Sequence, residues 1–131
     1  MDRKFFVTGG TPLMGEVVIS GYKNSAGAVL AATLLTKESS IIDNLPRCSD
    51  VLNEIEILKK MGAEVRWLAR NKIQVSPKNI DPEKIPFDLF EKMRISVLLI
   101  PPLLHRFKKI KVPHPGGDKI GLRPITTHLE A

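Results

Sequence analysis

Hydrophobic and polar positions alternate in two short stretches near the start of the chain, residues 5–7 and 16–20, which predicts two strands. Gly9-Gly10-Thr11-Pro12 between them reads as a turn, with two permissive glycines and a proline of fixed φ. The pattern then changes. Residues 26–35, AGAVLAATLL, are apolar or small on nearly every face and predict a helix packed on several sides, with Asn24 or Ser25 as N-cap. Residues 40–44 predict another strand, broken by Pro46. From residue 51 to 61, Val51, Leu52, Ile55 and Leu58 recur at spacings of three and four, the stripe of an amphipathic helix opened by Ser49-Asp50. Lys59 and Lys60 fall in its last turn, where the helix dipole favours cations, and Gly62 supplies the left-handed residue that ends it. Residues 65–69 and 72–75 predict a hairpin around Arg70-Asn71. The order is strand, helix, strand, helix, strand, strand, an α/β (α+β) pattern.

Residues 76–86 are polar, hold three prolines and predict a connector. Asp88 with Glu91 three residues on has the spacing of a capping box. The helix it would open has Phe90, Met93, Val97 and Ile100 on its apolar face, and Pro101-Pro102 bend or end it. Ile110 and Val112 alternate with Lys109 and Lys111 as a short strand. After the loop HPGGDKIGLRP at 114–124, Pro124 suits the first turn of a fourth helix, barely begun at Ala131. A second round of the same unit is therefore expected to start here, and the chain is expected to be a fragment or the product of a truncated reading frame.

Composition narrows the class. The chain has 131 residues, 43% hydrophobic and 26% charged, which suits one ordinary globular domain and excludes a disordered tail or a fibrous repeat. The longest apolar run, 97–104, contains two prolines and falls short of the roughly 18 residues of a membrane span. No apolar signal core follows Met1-Asp2-Arg3-Lys4. The single cysteine, Cys48, excludes an internal disulfide and a cysteine zinc site, and His105, His114 and His128 lack metal-ligand spacing. A cytoplasmic chain with no metal, no cofactor and no membrane partner is expected. The net charge of +6 suits an anionic ligand or a solvated surface. Nucleic acid is not expected, because the basic residues are scattered and no aromatics interleave with them.

Five places can carry chemistry. Lys23-Asn24 precede the Ala-rich segment, and a helix N-terminus beside a lysine attracts phosphate or carboxylate. The plain alternative is a surface lysine next to an ordinary cap. In PGGDKIG, residues 115–121, three glycines permit a tight turn or a moving loop, and Asp118 at its centre is an acid, a base or a turn former. Arg94 either snorkels from an apolar helix or faces an anion, and Arg123 has the same two readings. Cys48, between Arg47 and Ser49, is a thiol beside a cation or a bystander.

Read together, these segments resemble a known family. GEVVISG at 15–21, Lys23-Asn24, MRIS at 93–96 and PGGxxIGxRP at 115–124 resemble, in order and spacing, the start of the UDP-N-acetylglucosamine 1-carboxyvinyltransferases. The likeness runs from about residue 6 to residue 128. It implies the enolpyruvyl transferase fold, an inside-out α/β barrel of two domains built from repeated βαβαββ units. Residues 1–21 would then be strands that pair with the second domain, and 22–131 part of the first domain. The resemblance also implies the reaction: the enolpyruvyl group of phosphoenolpyruvate passes to the 3′-hydroxyl of UDP-N-acetylglucosamine with release of phosphate, the first committed step of peptidoglycan synthesis. Lys23 and Asn24 would hold phosphoenolpyruvate. Arg94 and Arg123 would stabilise the anionic substrates, with Arg123, Pro124, Ile125, Thr126 and Thr127 along the nucleotide sugar. Asp118 stands where most members carry the proton-donating cysteine, which implies insensitivity to fosfomycin, the epoxide that alkylates that thiol. Thr126 stands where the family usually has aspartate. A piece of this length alone is expected to have little or no turnover. The competing readings are an inactive paralogue that binds nucleotide sugar and a basic nucleic-acid module.

Overall fold

A computed structural model describes residues 4–117, 120, 121 and 123–130. Helix α1 spans Lys23–Ala32 and runs into a 3-10 turn at Thr33–Leu35. It starts earlier than the Asn24 or Ser25 cap implied, with Tyr22 in extended geometry as N-cap and no side-chain cap bond. The Asn24 amide instead donates to the Tyr22 hydroxyl at 2.6 Å. Nor is α1 enclosed on several sides. Ala26, Gly27, Leu30 and Ala31 are buried, whereas Val29 is 46% exposed, so one face packs and the small residues elsewhere meet solvent.

Strand β1, Ser40–Ile42, precedes helix α2, Ser49–Lys60, and the hairpin of β2, Glu64–Ala69, and β3, Lys72–Ser76. The three strands form one antiparallel sheet in the order β1-β3-β2, with Ile42 opposite Ile73 and Val65 opposite Val75. Helix α2 begins at Ser49 behind Cys48 as N-cap, so neither Ser49 nor Asp50 caps it. It ends as its pattern predicts. Gly62 takes φ +105°, and the Gly62 and Ala63 amides donate to the carbonyls of Lys59 and Leu58. Its buried stripe, Val51, Ile55, Ile57 and Leu58, packs with Leu30, Leu34, Ile73 and Val75 into the core between helices and sheet. On the hairpin, the Arg47 guanidinium lies 4.2 Å from the centroid of the Trp67 ring and donates to the Arg70 carbonyl.

Two expected strands are absent. Residues 5–7 and 16–20 form no ladder with any described segment, and Phe6 and Val18 are more than 90% exposed. Alternation prepares a pleat, but a strand exists only where another chain satisfies its N–H and C=O groups. The expected strand at 110–112 is absent for the same reason, although Ile110 and Val112 still pack against the core.

The helix expected from Asp88 is broken into pieces. After a 3-10 turn at Pro82–Lys84 come α3, Phe87–Phe90, a 3-10 turn at Ile95–Leu99, and α4, Ile100–Arg106. Pro86, not Asp88, is the N-cap of α3. The buried Ser96 hydroxyl lies 2.8 Å from the Phe90 carbonyl and 2.7 Å from that of Met93, and so serves the backbone where the chain leaves α3. Pro101 and Pro102 open α4 rather than ending a helix, because a first turn has no use for the amides they lack. Phe90, Met93, Val97 and Ile100 are all buried regardless. Helix α5, Thr126–Glu130, starts two residues beyond Pro124.

Candidate active site

The first turns of α1 and α2 and the chain around Arg94 line an open cleft of about 550 Å³, within the usual range for small-molecule sites. Lys23, Lys92, Arg94 and Arg123 line it as cations, Asp50 is its carboxylate, and Met93, Ile95, Val97 and Leu98 form the apolar wall. Four cations against one carboxylate leave the lining positive, and two helix N-termini add their dipoles. Such a lining favours an anion over a cation.

Three of these charged groups are held in place. Lys23 is the first residue of α1, and its Nζ lies 2.6 Å from Asp50 Oδ2 in the first turn of α2. This ion pair joins the two helix starts across the cleft floor. Arg94 Nη2 donates to the Pro124 carbonyl at 2.8 Å, which ties the stretch between α3 and the 95–99 turn to the segment before α5. Glycine makes the approach of the loop possible. A Cβ on Gly116 would collide with the Glu91 carbonyl, and Gly117, at φ +106°, would set one 3.0 Å from the Cβ of Arg94.

The sequence-derived candidates are thus partly gathered. Lys23, Asn24, Arg94 and Arg123 line one cleft, with Gly117 and Ile120 of the glycine loop. Asp118 lies outside the described residues. Pro124 contributes its carbonyl, while Thr126 and Thr127 open α5 on the exposed surface and Ile125 is buried in the core. Cys48 sits half-buried outside the cleft. Among the described residues no cluster of His, Cys, Asp or Glu could hold a metal, and no helix is long and apolar enough to cross a membrane.

Sequence reasoning passed over four residues. Asp50 reads as part of a helix start until Lys23 is placed against it. Lys92 and His128 join the lining through tertiary contact alone. Glu54 is the fourth: it is fully buried, its two carboxyl oxygens have no hydrogen-bond partner, and burial, followed by the charge of Asp50, pushes its pKa up to about 9. Its position had a signal, since Glu54 falls three residues after Val51 and four before Leu58, on the apolar stripe.

A fold of this kind, with a positive cleft at paired helix starts and a glycine loop across it, has counterparts. Residues 7–131 match the family described as EPSP synthase (3-phosphoshikimate 1-carboxyvinyltransferase), and the chain belongs to that family. Its curated relatives are more particular. It is 45% identical over 124 residues, 95% of its length, to the UDP-N-acetylglucosamine 1-carboxyvinyltransferase of Dichelobacter nodosus (strain VCS1703A). It is 44% identical over 125 residues to the enzyme of that name from Helicobacter pylori (strain ATCC 700392 / 26695). It spans about 30% of the length of these relatives and fits their N-terminal portion. Among solved structures, the enolpyruvyl transferase NikO from Streptomyces tendae superposes with a TM-score of 0.66 at 28% identity, over 75% of this chain and 23% of that one. The described part is a small α+β unit with an enolpyruvyl transferase as its structural neighbour.

Proposed function

We propose that the chain carries one wall of the cleft of an enolpyruvyl transferase that takes phosphoenolpyruvate and UDP-N-acetylglucosamine, in the cytoplasmic synthesis of peptidoglycan. The observation that carries this reading is the grouping of Lys23, Asn24, Arg94 and Arg123 around one positive cleft, in a chain whose relatives bear that activity in their names. In the reaction, the 3′-hydroxyl oxygen of the sugar bonds to C2 of phosphoenolpyruvate while C3 takes a proton and the hydroxyl proton leaves. The tetrahedral adduct then loses a proton from C3, and its C2–O bond to phosphate breaks. Charge builds on the phosphate and carboxylate, so fixed cations aimed at them lower the barrier. Lys23, with Asn24 beside it, takes phosphoenolpyruvate. Arg94 and Arg123 neutralise the anionic substrates, and 123–127 run along the nucleotide sugar.

Asp118 is the proton donor to C3 in this reading. An ordinary aspartate, with a pKa of about 3.9, is ionised at neutral pH, so Asp118 acts as an acid only where substrate charge and exclusion of water favour its protonated form. An aspartate also offers fosfomycin no thiolate to alkylate, and no adduct is expected at 118. Residues 1–21 pair with a second domain, and the whole closes as the inside-out barrel.

Calorimetric titration with phosphoenolpyruvate tests the cleft. The chain binds it, and Lys23→Ala weakens binding by tenfold or more, on the order of the 1.5–3 kcal/mol of a hydrogen bond to a charged group. Equal affinity in the variant would overturn the assignment of Lys23. Phosphate release from phosphoenolpyruvate in the presence of UDP-N-acetylglucosamine tests turnover in a protein of the relatives' full length, where Asp118→Asn abolishes it.

A further inference from the structure

Beneath the cleft floor the two helices repeat their pairing one turn further in. Lys23 and Gly27 are four residues apart on α1, and Asp50 and Glu54 four apart on α2, so each pair shares a helix face. The upper rung is the Lys23–Asp50 ion pair. In the lower rung the Glu54 carboxyl lies against Gly27, where a Cβ would stand 2.9 Å from Glu54 Oε2 and collide with Ile95. Only glycine leaves room for that carboxyl, which is fully buried without a partner oxygen or amide.

Among the described residues the charges around Glu54 are few. On its own helix Asp50 acts on it, and Lys23 is the only charged residue of α1. The 95–99 turn brings none of its own, and Arg94 precedes it. Helix α3 carries Asp88, and β2 carries Glu64 and Arg66, all of them exposed. A charge on Glu54 would therefore act on Asp50, and through the ion pair that Asp50 makes with Lys23 on the cleft.

We propose that Glu54 is a positioning residue of this cleft: uncharged, it leaves the positive field of the cleft whole, and ionised, it cancels part of that field, so that anion affinity follows its charge state. The inference rests on the anion-cleft reading above and adds a residue that reading does not use. Because burial raises its pKa to about 9, Glu54 is neutral at pH 7, and the loss of affinity falls above pH 8.

The test compares the chain with Glu54→Gln, using inorganic phosphate as the probe, from pH 6 to pH 10. The titrations of phosphate and of the lysines remote from Glu54 are common to both proteins and cancel in the ratio. The two affinities agree within twofold at pH 7, and at pH 10 the unsubstituted chain binds about five- to tenfold more weakly, as expected for a charge within one helical turn of the ion pair. Parallel profiles would overturn the role of Glu54 alone. Absence of phosphate binding in both proteins at every pH would overturn the cleft reading and this inference with it. A second measurement needs no variant. The carbon-13 shift of the Glu54 carboxyl reports its titration, and by linkage phosphate moves the midpoint upward by half a unit or more. An unchanged midpoint under saturating phosphate would overturn the proposal, even if Glu54→Gln failed to fold.

Discussion

Replacing Glu54 by methionine removes a carboxyl that the fold takes out of water and leaves unpaired. Its pKa rises from an ordinary 4.5 in the unfolded chain to about 9 in the folded one. Folding therefore favours the protonated form. The contribution to stability is full below about pH 4.5 and is lost as the pH climbs toward 9, at about 1.4 kcal/mol per unit, or about 3 kcal/mol at pH 7. Glu54→Met should accordingly raise the melting temperature at pH 7–8 and flatten its fall with pH, measured by circular dichroism melts. A variant that melts with the same pH slope would contradict the burial of an uncharged carboxyl. Ser96 makes the opposite case, a buried hydroxyl that is fully used. Ser96→Ala strips its hydroxyl from the Phe90 and Met93 carbonyls and should cost about 1–2 kcal/mol in denaturant unfolding.

At the scale of elements, what the sequence made legible was local. The stripe Val51, Ile55 and Leu58 with Gly62 behind it gave α2 and its end, because both depend on residues within two turns. The hairpin was visible in the same way around Arg70-Asn71. Residues 5–7 and 16–20 show the pleated pattern, but no described segment pairs with them, and pattern alone does not supply a partner. The long helix from Asp88 was misread because Ser96 and the pair Pro101-Pro102 decide the backbone there, while the apolar spacing that suggested it decides burial. The site was legible only in pieces. Lys23, Asn24, Arg94 and Arg123 each looked ordinary alone, and their meeting depends on α1, α2 and the 93–98 stretch packing together. The glycine loop has its own test at this scale. Gly117→Ala, at φ +106° and against the Arg94 backbone, should lower stability by about 1–2 kcal/mol. It should also weaken phosphoenolpyruvate binding through Arg94, and calorimetry on the variant checks both.

At the scale of the whole molecule, the described chain divides into a packed unit and an apolar arm. Phe5, Phe6, Leu13, Met14, Val17 and Val18 are all more than 80% exposed, an uncovered stretch that soluble monomers rarely show. Removing residues 1–19 should abolish most dye binding by 8-anilinonaphthalene-1-sulfonate and leave the melting temperature within about 2 °C, since the core begins at Ala26. A large drop in melting temperature would mean that the arm supports the fold.

The stacking of Arg47 on Trp67 has a practical side. Trp67 is the only tryptophan of the chain, and it belongs to the hairpin, apart from the residues that line the cleft. Its emission is therefore a built-in optical gauge of whether the sheet is intact, blind to what occupies the cleft. An anion titration that leaves the spectrum still while calorimetry registers heat is the signature of a ligand taken up by a rigid site. A spectrum that shifts in step with the heat would reveal a chain that tightens as a whole around its guest.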